Sequence, residues 1–103
     1  MRIDRTMFEH DGELLKLKCG VYSNKRLAIR IMSDEVPYAV LTVNLPEYDL
    51  KERHILVKTW SENEVVSKNV LVSTKLFTDT NIRVPTGFCN AEVWKINEDV
   101  YIT

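Results

Sequence analysis

The stretch Trp60-Ser61-Glu62-Asn63-Glu64-Val65-Val66-Ser67-Lys68-Asn69-Val70-Leu71-Val72-Ser73-Thr74-Lys75 decides between an all-β chain and an α+β one. Ser61 and Glu64 have the capping-box spacing, in which the hydroxyl accepts from the Glu64 amide and the carboxylate reaches back. Glu62 and Glu64 also put negative charge in the first turn, which suits the helix dipole. Behind them Val65, Val66, Asn69, Val70, Ser73 and Leu76 align at helical spacing, with Lys75 at the favourable C-terminal end. The opposing signal is propensity: Val65, Val66, Val70 and Val72 favour strands, and Val70-Leu71-Val72 reads as strand as well as helix. Cap and spacing agree, so the stretch predicts a helix over about residues 62–75.

Outward from this helix the chain reads as strands. Towards the N-terminus, Ile55 to Trp60 alternates Ile55, Val57 and Thr59 against Leu56 and Trp60. Glu47 to Arg53 is a charged connection after Pro46, which ends the run before it. That run, Tyr38 to Leu45, is apolar on both faces and is the expected central strand. Leu27 to Ile31 and Leu15 to Val21 alternate cleanly, the latter against Lys16 and Lys18. Turns are expected at Ser33-Asp34-Glu35, Ser23-Asn24-Lys25 and Asp11-Gly12. Met1, Ile3 and Met7 share one face of a first strand. Beyond the helix, Thr78-Asp79-Thr80-Asn81 and Pro85-Thr86-Gly87 carry turn chemistry, so residues 77–86 read as a long polar loop. Phe88 to Ile96 is a last strand, and Val100-Tyr101-Ile102 adds a short edge piece. The expectation is one α+β domain over 1–103: an antiparallel sheet of about six strands with one helix packed on a face.

Composition supports one soluble domain. The chain has 103 residues, 45% hydrophobic and 28% charged. Fourteen basic and fifteen acidic side chains leave a formal charge of −1, evenly spread: seven and six in residues 1–45, seven and nine in 46–103. This excludes a polybasic nucleic-acid arm and a DNA-mimicking acidic surface. Lys16, Lys18 and Arg30, with Tyr22 and Tyr38 near, are the one arrangement that could stack bases, but a pI of about 6.1 leaves little electrostatic footprint. Apolar runs of four or five residues are too short for a membrane span. Cys19 and Cys89 make no disulfide framework, and the N-terminal residues lack the apolar stretch of a signal peptide. An intracellular, cytoplasmic chain with reduced thiols is expected. His10, Cys19, His54 and Cys89 are isolated from one another, so no metal or cofactor is expected. With no phosphate loop, no nucleophile motif and with Asp34-Glu35 and Glu98-Asp99 in turns, the sequence does not read as an enzyme.

Two places stand out as binding candidates. At the strand-to-helix junction, Trp60, Glu62 and Asn63 combine an amphipathic ring with polar groups; the competing reading is a helix cap over a core Trp. In the 78–88 loop, Asp79, Asn81, Arg83 and Phe88 stand together; Arg83 offers two parallel donors for a carboxylate or phosphate, or it simply pairs with Asp79.

Tyr38-Ala39-Val40-Leu41-Thr42-Val43-Asn44-Leu45 resembles the "YAxLTVNL" stretch of a family of small proteins of unknown function carried by conjugative elements, plasmids and phages of gut-type bacteria. Lys58-Thr59-Trp60-Ser61-Glu62-Asn63, Leu76-Phe77-Thr78-Asp79-Thr80, Val84-Pro85-Thr86-Gly87-Phe88 and Val93-Trp94 match in order, so the resemblance covers residues 26–96. Relatives have glycine where this chain has Lys75. The resemblance implies a protein-interaction module of a mobile genetic element, of the counter-defence (anti-CRISPR) type, with a host protein complex as partner. The alternatives are a nucleic-acid-binding accessory protein and a small-ligand binder or enzyme. An unpaired sheet edge also makes a homodimer an expectation.

Overall fold

The structure, a computed structural model, describes residues 1–103. The elements follow as β1 (Met7–His10), β2 (Glu13–Val21), β3 (Leu27–Ser33), β4 (Val36–Val40), β5 (His54–Val57), a 3-10 turn (Ser61–Asn63), α1 (Val66–Thr74), β6 (Phe77–Thr86) and β7 (Cys89–Ile96). The fold is α+β and every strand pair is antiparallel, as the patterning predicts. The strands form two sheets, ordered β1-β2-β3-β4 and β5-β7-β6. No helix is long and apolar enough to cross a membrane.

The sheets part company at the run expected to be the central strand. Val36–Val40 is instead the outer strand of the first sheet, with Val36, Tyr38 and Val40 exposed and Pro37, which cannot donate, on that edge. Leu41 still donates to the Ile29 carbonyl at 2.9 Å, but its own carbonyl accepts from Lys58 at 2.9 Å, and Val43 donates to Leu56 at 3.0 Å. The Thr42 hydroxyl accepts the Ile29 amide at 3.1 Å where the ladder is lost. One segment therefore seams both sheets. Its apolar residues serve two sheets in succession rather than two faces of one.

The first strand also differs from the expected one. Arg5 has φ 72°, which breaks extension. β1 begins at Met7 with Phe8 and His10 buried and Met7 turned outward, the reverse of the expected face. Ile3 is buried instead by a stitch to the C-terminal end, where Ile3 donates to the Tyr101 carbonyl and Tyr101 to that of Met1, both at 2.8 Å. The Asp11-Gly12 turn forms as expected. Both residues have positive φ (51° and 76°) between the paired His10 and Glu13, which defines a type I′ hairpin.

The helix forms, but not through the expected cap. Ser61 has φ 56° and opens a 3-10 turn, and Val65 precedes α1 with no side-chain cap. The turn is held from inside: the Asn63 amide donates to the Val40 carbonyl at 2.7 Å and to Ser67 Oγ at 3.2 Å, while Ser67 donates to the Lys58 carbonyl at 2.7 Å. The buried stripe is Val66, Ser67, Val70 and Thr74; Val65 and Ser73 face solvent. Lys75 adopts the left-handed conformation (φ 60°, ψ 22°) at the C-terminus of α1, where glycine is the unstrained choice. The Asn97 side chain donates to its carbonyl at 3.0 Å.

A core of sixteen buried residues fills the space between helix and sheets, with Trp94 fully buried and its ring 5.6 Å from Phe77. A second, smaller cluster (Leu56, Ala91, Val93) lies on the other side of the β5-β7-β6 sheet under Leu45, Tyr48, Leu50 and Trp60. The 43–50 connection is thus a strap over that sheet. Cys19 is half-buried, and burial and the Asp4 carboxylate push its thiol up to about 12.

Candidate functional site

The expected 78–88 loop is a strand hairpin. Residues 77–86 pair with β7 on both sides of one bulge, from Phe77 opposite Ile96 to Thr86 opposite Cys89. The turn chemistry at 78–81 is real but is spent inside the strand. Asp79 pairs with Trp94 and Ile82 with Val93, so Thr80 and Asn81 are extra residues in a bulge. The Asn81 amide donates to Asp79 Oδ1 at 2.9 Å, Asn81 takes φ 67°, and Thr80 Oγ1 donates across to the Val93 carbonyl at 2.7 Å. Such local bonds serve a loop equally well; here the partner strand absorbs them.

The bulge brings Asp79 and Arg83 together. Arg83 donates from both terminal nitrogens to the two Asp79 oxygens at 2.9 and 2.8 Å, and Glu92 lies 3.6 Å from the same guanidinium. Glu92 in turn accepts from the Trp94 indole at 3.0 Å. Of the two readings of Arg83, the structure supports the pair with Asp79. Hydrogen bonding from Arg83 holds the Asp79 carboxyl below its ordinary value of 3.8. These groups line a groove of about 310 Å³ against the helix, with Glu64 and Lys68 on its far wall. Sequence reading missed Glu92, although the period-two spacing to Trp94 places both on one face of β7.

The network cross-links Asp79, Arg83, Glu92 and Trp94 across the hairpin stem. Asp79→Asn should destabilise the fold by about 0.5–1 kcal/mol at pH 7, since Arg83 is part-exposed and screened by solvent. Because the folded value is the lower one, this stability is fully present above the ordinary aspartate value and is lost as pH falls through the lowered folded value. Urea midpoints of the two proteins should therefore differ at pH 7, begin to draw together at about pH 4 and meet only below the lowered Asp79 value. A constant difference across that range would rule out the ion pair as its source.

The hairpin closes over Gly87 and Phe88. Only Gly87 of the two has positive φ (65°), which marks a type II′ turn with glycine first. This turn points Phe88 outward, and its side chain is fully exposed at 109% of the reference area. Beside it, Val84 and Pro85 form one wall of an apolar groove of about 460 Å³ whose other wall is Leu45, Pro46 and Tyr48 of the strap. Glu47 is its one charged lining residue.

The remaining expected residues are spread around this end. Trp60 is half-buried against the second cluster, which places it on the same side of the sheet as Val84 and Tyr48. Lys58 sits 5.9 Å above its ring and pairs with Glu62 at 2.8 Å; that hydrogen bond holds the exposed Glu62 carboxyl below its ordinary value. Thr59 reaches the hairpin through the Asn90 carbonyl at 3.4 Å. Asn63 is fully buried and fastens the seam, so its amide is not presented to a partner. The structure thus gathers Trp60, Asp79, Asn81, Arg83 and Phe88 on or beside one hairpin, leaves Glu62 at its flank, and removes Asn63 to the interior. The groove residues of the strap escaped the sequence reading because a charged connection signals solvent, not a wall.

Lys18 and Arg30 are cross-strand partners on the outer face of the first sheet, with Lys16 in line. Tyr22 Oη is 2.8 Å from Thr42 Oγ1, and the exposed Tyr38 ring lies edge-on to His10.

No protein family, curated protein or solved structure matches this chain.

Proposed function

We propose that this chain is a non-enzymatic protein-interaction module that docks through the β6–β7 hairpin end. The observation that carries the reading is Phe88, a full aromatic ring held in water at the tip of a stem braced by Asp79, Arg83 and Glu92. With Val84, Pro85, Leu45, Pro46 and Tyr48 lining the groove beside it, the ring extends a contiguous apolar surface, and it is such patches that mark docking sites. A two-residue turn on a paired stem limits the backbone freedom lost on docking, and the adjacent groove offers an apolar seat for a partner side chain. The resemblance to mobile-element proteins makes a host defence complex the first partner to try, with the counter-defence role and a bacterial cytoplasmic setting following from it.

Burying one Phe ring contributes about 1.5–3 kcal/mol, so Phe88→Asp should weaken binding of a partner recovered from a bacterial host by at least about tenfold. Affinity capture with the natural host lysate, followed by titration of the recovered partner against both proteins, reads this directly. Equal binding by the variant, or no specific partner for the wild type, sinks the reading. Light scattering on both proteins separates a second copy of the chain from a different partner.

A further inference from the structure

A second site lies away from the hairpin, in a cleft of about 360 Å³ between the β2–β3 turn, the 50–54 segment and the C-terminal residues. Four permanent cations line it, Lys25, Arg26, Lys51 and Arg53, against a single carboxylate, Glu52. The whole chain carries −1, so this concentration of positive charge is local. None of the four makes an ion pair.

The two guanidiniums are held by neutral groups. Arg26 donates to the carbonyls of Leu45 (2.7 Å) and Tyr48. Arg53 donates to those of Asn97 (2.5 Å) and Val100 (3.0 Å). Carbonyls fix a guanidinium without neutralising it, and each Arg keeps about three of its five N–H donors free of protein partners. Cations left unpaired at this density repel one another, which a fold tolerates most readily where an anion sits between them. His54 stands in the same lining; its Nδ1 donates to the Glu52 carbonyl at 2.7 Å, which leaves Nε2 free. The floor is apolar: Leu27, Leu50, Ile96 and Ile102, with Ile102 still 37% exposed. A cationic rim over an apolar floor selects a ligand with both properties, and the size falls within the range of small-molecule sites.

We infer that this cleft binds a small amphiphilic anion, a carboxylate or phosphate on a hydrocarbon body. The head group meets Lys25, Lys51 and the spare guanidinium donors, and the tail covers Leu27, Leu50 and Ile102. The site shares no side chain with the hairpin end, so it stands or falls separately from the docking role.

Octyl phosphate and octanoate are the probes, titrated into the full chain and followed by amide chemical shifts. Saturable shifts are expected at residues 25–27, 50–54 and 102. Inorganic phosphate and the neutral octyl glucoside should each bind at least tenfold more weakly. The exposed lysines make no side-chain hydrogen bond, so Lys25→Glu/Lys51→Glu should fold normally by circular dichroism and bind octyl phosphate at least tenfold more weakly. No shift at millimolar probe, equal binding of the glucoside or of inorganic phosphate, or undiminished binding by the folded double variant overturns the inference. Preference for a single-stranded oligonucleotide at the same residues also overturns it, in favour of a nucleic-acid face.

Discussion

Replacing Trp94 by alanine should lower the unfolding free energy by about 3–5 kcal/mol, the range for removing a fully buried large aromatic. Trp94 has no exposed area, packs its ring 5.6 Å from Phe77 and donates to Glu92. Its loss opens a cavity in the sixteen-residue core and frees the carboxylate that flanks Arg83. For a chain of this size the melting temperature should fall by more than about 12 °C. Trp94→Phe should recover much of the loss, because it refills most of the volume without the indole donor. Thermal and urea unfolding by circular dichroism read both. A Trp94→Ala protein within about 1 kcal/mol of wild type would mean that the ring is not the centre of the core.

Asn63→Asp should cost about 3 kcal/mol or more, although it changes one atom. The Asn63 amide nitrogen donates to the Val40 carbonyl at 2.7 Å and to Ser67 Oγ at 3.2 Å, while Oδ1 is buried without a partner. A carboxylate there loses the donor, faces the Val40 carbonyl with negative charge, and has no cation to pair with. The site lies where β4 gives way to the seam, so the variant should loosen both sheets rather than the helix alone. Hydrogen exchange should speed up at Leu41, Val43 and Lys58, whose amides make the seam bonds. Because the penalty is that of a buried charge, it should shrink in acid as the carboxyl takes up a proton, and the variant should recover stability below about pH 5. Asn63→Ala serves as the control: it should cost about 1–3 kcal/mol, with no such recovery. An acid-insensitive Asn63→Asp, no worse than Asn63→Ala, would place the side chain in water.

Much of the fold was legible because it is written in local alternation. β2 and β3 repeat apolar residues at period two, β5 and β7 are short runs apolar on both faces and bounded by turn residues, and Asp11-Gly12 marks a tight hairpin. The helix was legible for a less sound reason. The Ser61/Glu64 spacing marked the right place, yet Ser61 is in a 3-10 turn with positive φ and caps nothing. What holds the turn is Asn63 reaching a strand 23 residues earlier, a contact no local pattern announces.

The candidate site was half legible. Asp79, Asn81, Arg83 and Phe88 were marked by residue type, and they do belong to one hairpin. Their setting was misread because Asp, Thr and Asn carry the same side-chain-to-backbone bonds in a loop as in a bulge. Only the partner strand tells the two apart. Glu92 had a local signal in its period-two spacing to Trp94, whereas the strap residues Leu45, Pro46 and Tyr48 join the site by packing across more than thirty-five residues, so no window of sequence contains them.

By itself, then, the sequence determined the α+β class, the antiparallel pairing of neighbours, the hairpin turns and the presence of one helix, since each follows from period, turn chemistry and spacing within a dozen residues. Tertiary structure alone decided that the strands split into two sheets, that Tyr38–Leu45 is a seam and not a centre, that 77–86 is a strand, and that four unpaired cations share one cleft. Those outcomes depend on which distant backbone groups are free to pair, and that competition is settled only when the whole chain closes around its core.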